Sequence, residues 1–255
     1  MKLPISVFII TKNEEKHISK TLSSVADMDE IIVVDSGSTD RTVEIASEFG
    51  AMTYFHEWQG YAKQKQYAMN LCKNEWVLNL DGDEAITPDI LAAFSLIVEQ
   101  DTADSVRFWR NDLFVGEPLS TLSKKPNNHR LYKRAKAYFD DSRLAHESAT
   151  VDGKEVFIKL AFDHYGYDAI DTITAKNNLY SSLKAQEKYD KGKSYSTGKL
   201  TFVFFLTFIK EYFLQRKIFS GRRGFILSIM AAYYSFIKEA KLYELHENFN
   251  RQDPD

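Results

Sequence analysis

Cysteine is nearly absent: the 255 residues hold one, Cys72. A lone thiol closes no internal disulfide, and neither a Cys-x-x-Cys pair nor a Cys/His zinc spacing occurs, so a disulfide scaffold and a structural zinc module are both excluded. Long apolar runs are lacking too. The longest charge-free stretches late in the chain, Leu200 to Ile209 and Gly224 to Ile237, hold ten and fourteen residues. Both fall short of the roughly 18–20 that span a bilayer, although either is long enough to lie along one. No sign of charge dominates, because 33 Lys and Arg stand against 36 Asp and Glu for a net charge of −3. That excludes a whole-chain basic field, and nucleic acid is not an expected partner. The Gly-x-Gly-x-x-Gly fingerprint and the P-loop are missing from every strand-to-helix turn, which removes NAD enzymes and P-loop NTPases.

What is there is a globular composition, 44% hydrophobic and 27% charged, on a length that suits one substantial domain or two small ones. The apolar run Ile5–Ile10 is interrupted by Ser6 and meets Lys12, Glu14 and Glu15 without a small-residue cleavage site, so it reads as a strand rather than a signal peptide. With one cysteine and no leader, the expected compartment is the cytoplasm. The charge is unevenly placed. Lys184 to Lys241 carries twelve basic and four acidic residues, a local +8 that leaves −11 on the remainder. An acidic body with a basic, aromatic-rich tail points to different partners for the two parts.

Short apolar runs alternate with helical patterns through the first hundred residues. Strands are expected at Pro4–Ile10, Glu30–Asp35, Ala51–Phe55 and Trp76–Leu80. Helices are expected at Glu14–Ala26, at Thr39–Phe49 closed by Gly50, at Gly60–Cys72, and at Pro88–Val98 with proline in its first turn. This βαβαβαβα order indicates a mostly parallel sheet covered by helices on both faces, an α/β fold that binds ligands beyond the carboxyl ends of its strands. From Ser105 to Ile158 short stretches (Val106–Trp109, Leu131–Tyr132, Tyr138–Phe139, Val156–Ile158) read as antiparallel or mixed strands, with a loop at Ser123–Asn128. Helices near 168–190, 200–217 and 224–247 follow. The expected division is 1–167 as a catalytic domain, with 1–100 on the donor side and 101–167 on the acceptor side, and 168–255 as a helical extension.

Three strand ends therefore carry the chemistry. Asp81-Gly82-Asp83-Glu84 follows Trp76–Leu80, whereas Asp27-Met28-Asp29 sits at the wrong end of the sheet and reads as a solvated turn. Crowded carboxylates repel unless a cation or proton offsets them, and hard oxygen donors without cysteine suit Mg²⁺ or Mn²⁺. The bland alternative is an acidic turn ahead of the next helix. Asp35 ends the second strand, where a carboxylate is placed to accept hydrogen bonds from a ligand, and Ser38 or Thr39 is expected to cap the following helix. A phosphatase nucleophile at Asp35 would want a second acid two residues on, and that position is Gly37.

Taken together, Phe8–Glu15 (FIITKNEE), Ile32–Thr42 (IVVDSGSTDRT) and Trp76–Glu84 (WVLNLDGDE) resemble the nucleotide-sugar half of family 2 glycosyltransferases. Gly60–Ala68, Leu144–Glu147, His164–Tyr167, Phe219–Phe225 and Lys241–Glu244 resemble the branch that contains lipopolysaccharide-core glucosyltransferases. The resemblance implies a GT-A-like fold, a UDP-sugar or similarly activated donor, a divalent metal (Mg²⁺ or Mn²⁺) and inversion at the anomeric carbon. It further implies that Thr11, Asn13 and Glu14 line the nucleotide pocket and that Asp35 contacts base or ribose. Asp81 would lie near ribose and donor sugar, Asp83 would hold the metal, and Lys65 would offset phosphate charge. Ser36 departs from the commoner pattern, which has a second aspartate there.

The acceptor hydroxyl needs a base. Glu147 of His146-Glu147 is the expected one, with Asp140, Asp141 and Asp163 as substitutes, and His146 and His164 are candidates to complete the metal shell. The resemblance points to a glycolipid or polysaccharide acceptor at the inner face of a membrane. The apolar stripe Phe202, Phe205, Leu206, Ile209 and Phe213 fits packing on the catalytic domain, packing on another subunit in a homo-oligomer, or a peripheral membrane surface. A sugar-phosphate nucleotidyltransferase is the first rival, although it would carry a Gly-rich phosphate loop where this chain has Thr11–Glu15. A non-catalytic nucleotide-sugar-binding module is the second.

Overall fold

The computed structural model describes residues 2–140 and 148–252. In chain order the first elements are β1 (Leu3–Thr11), α1 (Ile18–Ser24), β2 (Met28–Asp35), α2 (Thr42–Glu48), β3 (Met52–Phe55), α3 (Tyr61–Asn70), β4 (Trp76–Asp81), β5 (Glu84–Ala85) and α4 (Pro88–Gln100). The expected strand–helix alternation is present, and the two-residue β5 is an addition to it. There follow β6 (Ser105–Phe114), β7 (Glu117–Pro118), β8 (Asn127–Lys133), β9 (Ala137–Tyr138), β10 (Thr150–Val151), β11 (Glu155–Tyr167), α5 (Ile170–Asp190), α6 (Thr197–Ile209) and α7 (Gly221–Gln252).

The chain divides into two compact units, Met1–Asp112 with Lys125–Tyr165, and Leu113–Lys124 with Gly166–Asp255. In the first unit the strand order is β3-β2-β1-β4-β8-β6-β11-β5. β1 runs parallel to β2 and β4, and β2 parallel to β3. From β4 onward the pairing is antiparallel, β4 with β8, β8 with β6, and β5 with β11. The sheet thus has a parallel half and an antiparallel half that meet at the β4–β8 pair. The cause of the central strand's burial is legible in its residues: Ile5, Val7 and Ile9 pack with Ile18 and Leu22 of α1 and with Phe94 of α4. Phe8 and Ile10, pointing the other way, pack with Ala68 and Met69 of α3. A strand apolar on both its faces, interrupted only by the buried Ser6 before Thr11 ends it, is what a sheet covered on both sides requires.

β11 corrects the expectation of a short strand at Val156–Ile158, since it runs thirteen residues. On one face Ile158, Leu160 and Phe162 pack into the core, while on the other Glu155, Lys159 and Asp163 are interspersed with Phe157 and Ala161. Alternation of that kind marks a strand with one solvated face, and its polar residues hide it from a search for apolar runs. Asp29 also departs from the expected turn. It lies inside β2, held by Asn74 Nδ2 at 3.0 Å and Lys73 Nζ at 3.3 Å.

In the second unit α5 and α7 pack together, with Phe114, Ile173 and Leu227 as a small core. Lys241 Nζ donates to the Asn178 carbonyl at 2.7 Å and to Ser181 Oγ at 2.9 Å, and Lys188 pairs with Glu239. The single helix expected over 200–217 is broken. α6 passes into one π-helical turn at Lys210–Leu214, Arg216 adopts a left-handed φ of +59°, and a 3-10 turn at Lys217–Ser220 leads to α7.

Candidate active site

The turns after β1 and β2 are stitched together by side chains that bond to backbone. Asn13, at φ +56°, accepts from the Thr39 amide at 2.8 Å and donates its own amide to Ser38 Oγ at 2.8 Å. Glu14 N donates to Thr42 Oγ1 at 2.8 Å, and Arg41 N to Glu15 Oε2 at 3.0 Å. These bonds hold Asn13–Glu15 out of the helix expected from Glu14, so α1 starts only at Ile18. The expected capping of α2 by Ser38 or Thr39 is also corrected, because both serve the Asn13 and Asp35 turns. Asp40 Oδ1 takes the Thr42 amide instead, at 3.0 Å. Burial would raise the Asp40 carboxyl, and the hydrogen bonds from Thr42 and Glu15 overcome it and lower its pKa.

Asp35 is buried, and one of its oxygens accepts from the Gly37 and Ser38 amides, both at 2.8 Å, while the other takes the Ser38 hydroxyl. Its carboxylate therefore shapes the turn it ends. Ser36, where the commoner pattern has aspartate, accepts from Gln64 Nε2 at 2.9 Å, and the fully buried Gln64 also meets His56 Nδ1 at 2.8 Å.

At the end of β4, Asp81 sits between two cations. Lys65 Nζ, almost wholly buried, lies 2.9 Å from one carboxylate oxygen, and Arg130 of β8 lies 3.1 Å from the other. Burial alone would push the Asp81 carboxyl up; Lys65 and Arg130 outweigh it and hold it below the usual carboxylate range. Arg130 also pairs with the fully buried Glu84, whose second oxygen accepts from the Asp81 amide at 3.0 Å.

Between the aspartates, Gly82 is needed for space. A Cβ there would meet Thr11 Oγ1 at 3.0 Å and Glu14 Cγ at 3.2 Å, and the Gly82 carbonyl accepts from Thr21 Oγ1 at 2.9 Å. Thr11 Oγ1 is buried with no hydrogen-bond partner among the described residues. We expect Gly82→Ala to lower stability by about 1–3 kcal/mol through overpacking. Combining it with Thr11→Ala should recover part of that loss, which urea denaturation of the three variants measures; strict additivity would show that the two positions do not crowd each other.

Asp83 is buried beside His164 because β5 and β11 pair in register, His164 opposite Glu84, and because Tyr165 N donates to the Asp83 carbonyl at 2.8 Å. His164 Nε2 faces Asp83 Oδ2 at 3.6 Å, and its Nδ1 lies 2.8 Å from Asp112 Oδ1. Asp112 is in turn held by Arg110 at 2.7 Å. Burial would lower the His164 pKa; the bond to Asp112 and the charge of Asp83 outweigh it, and the value rises.

Among the described residues no group of three or more His, Cys, Asp or Glu is gathered for a metal. Asp83 and His164 supply two donors, and a hard divalent cation commonly takes few protein ligands and fills its shell with substrate phosphates. A histidine whose other nitrogen meets a carboxylate is the arrangement found at metal ligands, and an imidazole donor suits Mn²⁺ better than Mg²⁺. The pair fits a divalent cation on those grounds.

Glu147, His146 and Asp141 lie outside the described residues. Asp140 is half-buried, and Asp163 accepts from Asn111 Nδ2 at 2.8 Å. Sequence reasoning missed Arg130, Asp112 and Gln64. No motif covers Arg130 or Asp112, and Gln64, although inside the Gly60–Ala68 segment, carries no strand-end signature; each reaches the site through sheet pairing or helix packing.

The profile of glycosyl transferase family 2 matches residues 6–159. An uncharacterized glycosyltransferase of Rickettsia typhi is 34% identical over 254 residues, which cover 94% of this chain and 87% of the relative. The lipopolysaccharide core biosynthesis glycosyltransferase LpsC of Rhizobium meliloti is 32% identical over 259 residues, 96% of this chain and 94% of its own. Among solved structures, S. aureus TarS 1-349 in complex with UDP-GlcNAc superposes with a TM-score of 0.51 at 16% identity, covering 99% of this chain and 92% of that one. That last likeness is one of fold, the GT-A arrangement.

Proposed function

The chain belongs to glycosyltransferase family 2, and from that premise we propose that it moves a hexose, glucose in our reading, from a UDP-sugar to a glycolipid or surface-polysaccharide acceptor of the lipopolysaccharide-core kind. The observation that carries this reading is the pair of aspartates at the end of β4, one clamped by Lys65 and Arg130 and the other beside His164. The relative LpsC, named for lipopolysaccharide core biosynthesis, supports the acceptor class, and UDP-GlcNAc in TarS supports a UDP-linked donor.

In this reading Thr11, Asn13 and Glu14 border the nucleotide. Asp35 fixes the turn against which base or ribose rests. Asp81 orients ribose and donor sugar, its charge held in place by Lys65 and Arg130, and Lys65 adds positive potential for the diphosphate. Asp83 and His164 would hold Mg²⁺ or Mn²⁺. When bound, that cation offsets the negative charge gathering on the departing UDP. Glu147 takes the proton of the acceptor hydroxyl, which attacks from the face opposite UDP and inverts the anomeric carbon in one displacement. Residues 1–167 carry the reaction, and 168–255 form an extension that serves a protein at the inner face of the cytoplasmic membrane.

Calorimetric titration of UDP with and without Mn²⁺ tests the donor half. Binding that strengthens with Mn²⁺ is the expected result, followed by turnover of one UDP-hexose over others on a lipid-linked acceptor. Failure to bind UDP under either condition would rule out the UDP-sugar donor.

A further inference from the structure

α6 is thirteen residues of mostly apolar sequence, TGKLTFVFFLTFI, and buries none of them. Phe202, Phe205, Leu206, Ile209 and Phe213 recur at helical spacing with 50–64% of each exposed. That makes one contiguous apolar stripe rather than scattered residues, and such patches on soluble proteins mark a surface that meets something else. No described helix is long and apolar enough to cross a membrane. From Lys210 to Arg223 the charge is predominantly basic, five Lys and Arg against Glu211. Arg216, Arg222 and Arg223 are exposed and make no ion pair among the described residues, while Glu211 is engaged by Lys217 at 2.8 Å.

From the exposed stripe and its unpaired basic rim we propose that this face of α6, continued through Phe213 to the start of α7, docks on a lipid bilayer surface bearing anionic headgroups. The rim decides between occupants. A second copy of the chain meeting this one about a two-fold axis would set arginines against arginines, which opposes association. Anionic headgroups offset that charge while the aromatic side chains enter the boundary between headgroups and acyl chains. The inference rests on residues remote in sequence from the donor turns, and it deepens the proposed reaction by naming the surface on which a lipid-linked acceptor is met.

The test is flotation of the full chain with vesicles of phosphatidylcholine alone or with phosphatidylglycerol added, at low and high salt, alongside UDP calorimetry on every variant. Binding to the anionic vesicles that falls with salt is expected. Phe205→Ser with Phe213→Ser should weaken binding to both kinds of vesicle. Arg222→Gln with Arg223→Gln should weaken binding to the anionic vesicles alone, by about thirtyfold for the two charges removed. UDP binding should be unchanged throughout, which separates this inference from the donor-site reading. Absence of flotation with either vesicle overturns the proposal, as does flotation indifferent to salt and to both pairs of substitutions. A concentration-dependent dimer dissolved by the phenylalanine pair would overturn it in favour of a second copy.

Discussion

Replacing Asp83 by Asn is expected to lower kcat by about a hundred- to a thousandfold while the protein stays folded. The side chain keeps its shape, and the contact with His164 is 3.6 Å, longer than a hydrogen bond. What goes is the formal charge, and with it the one anionic donor that the Asp83–His164 pair offers a divalent cation. The loss should therefore appear twice: in UDP release from the preferred UDP-hexose, and in the disappearance of any strengthening of UDP binding by Mn²⁺. Asp81→Asn makes the contrast. It removes the shared partner of Lys65 and Arg130, so its effect should include a fall in stability that Asp83→Asn does not share. Full turnover in the D83N protein would remove Asp83 from the reaction. Unchanged ligand binding with no turnover in either protein would support a non-catalytic module.

The second large effect belongs to Arg130. Its guanidinium is buried and reaches Asp81, Glu84 and the Asn79 side-chain oxygen. Arg130→Met keeps much of the volume and leaves two carboxylates without that partner, one of them fully buried. Removing one side of such a pair typically costs about 3–5 kcal/mol, readable as a shift in the urea midpoint. Arg130→Lys should rescue little, because a single ammonium does not reproduce a planar fork that serves three acceptors. Adding Glu84→Gln to Arg130→Met should recover part of the loss, since the stranded charge is then gone. A loss under about 1 kcal/mol for Arg130→Met would mean that Lys65 and solvent compensate both acids unaided.

Much of this was legible before the structure and some was not, for reasons that lie in the residues. The strands β1 to β4 announce themselves as apolar runs, and the chemistry of parallel sheets directs attention to Asp35, Asp81 and Asp83. Their neighbours are another matter. Arg130 comes from forty-six residues beyond Glu84, in a segment, His129-Arg130-Leu131, with no signature of its own. Asp112 and His164 are brought together by pairing within the antiparallel half, and periodicity reports a strand's faces but not its neighbour. The turn after β1 misled for a different reason: Glu14–Ala26 has helical spacing, yet its first residues are pulled away by bonds to the β2 turn. Side-chain competition for backbone groups overrode a sound periodic signal.

The division of the sheet into a parallel and an antiparallel half has a consequence for the order in which this chain acquires its site. A nascent chain that has emerged only through β5 holds Lys65, Asp81, Asp83 and Glu84, with three crowded acids and a single buried cation among them. Their guanidinium and imidazole partners arrive with β8 and β11, after long-range contacts of the kind that form slowly. Until residue 165 has left the ribosome, the acidic turn is a local liability rather than a binding site. Recovery of nucleotide affinity during refolding should therefore lag the recovery of helical signal, because affinity waits for the last strand to be placed.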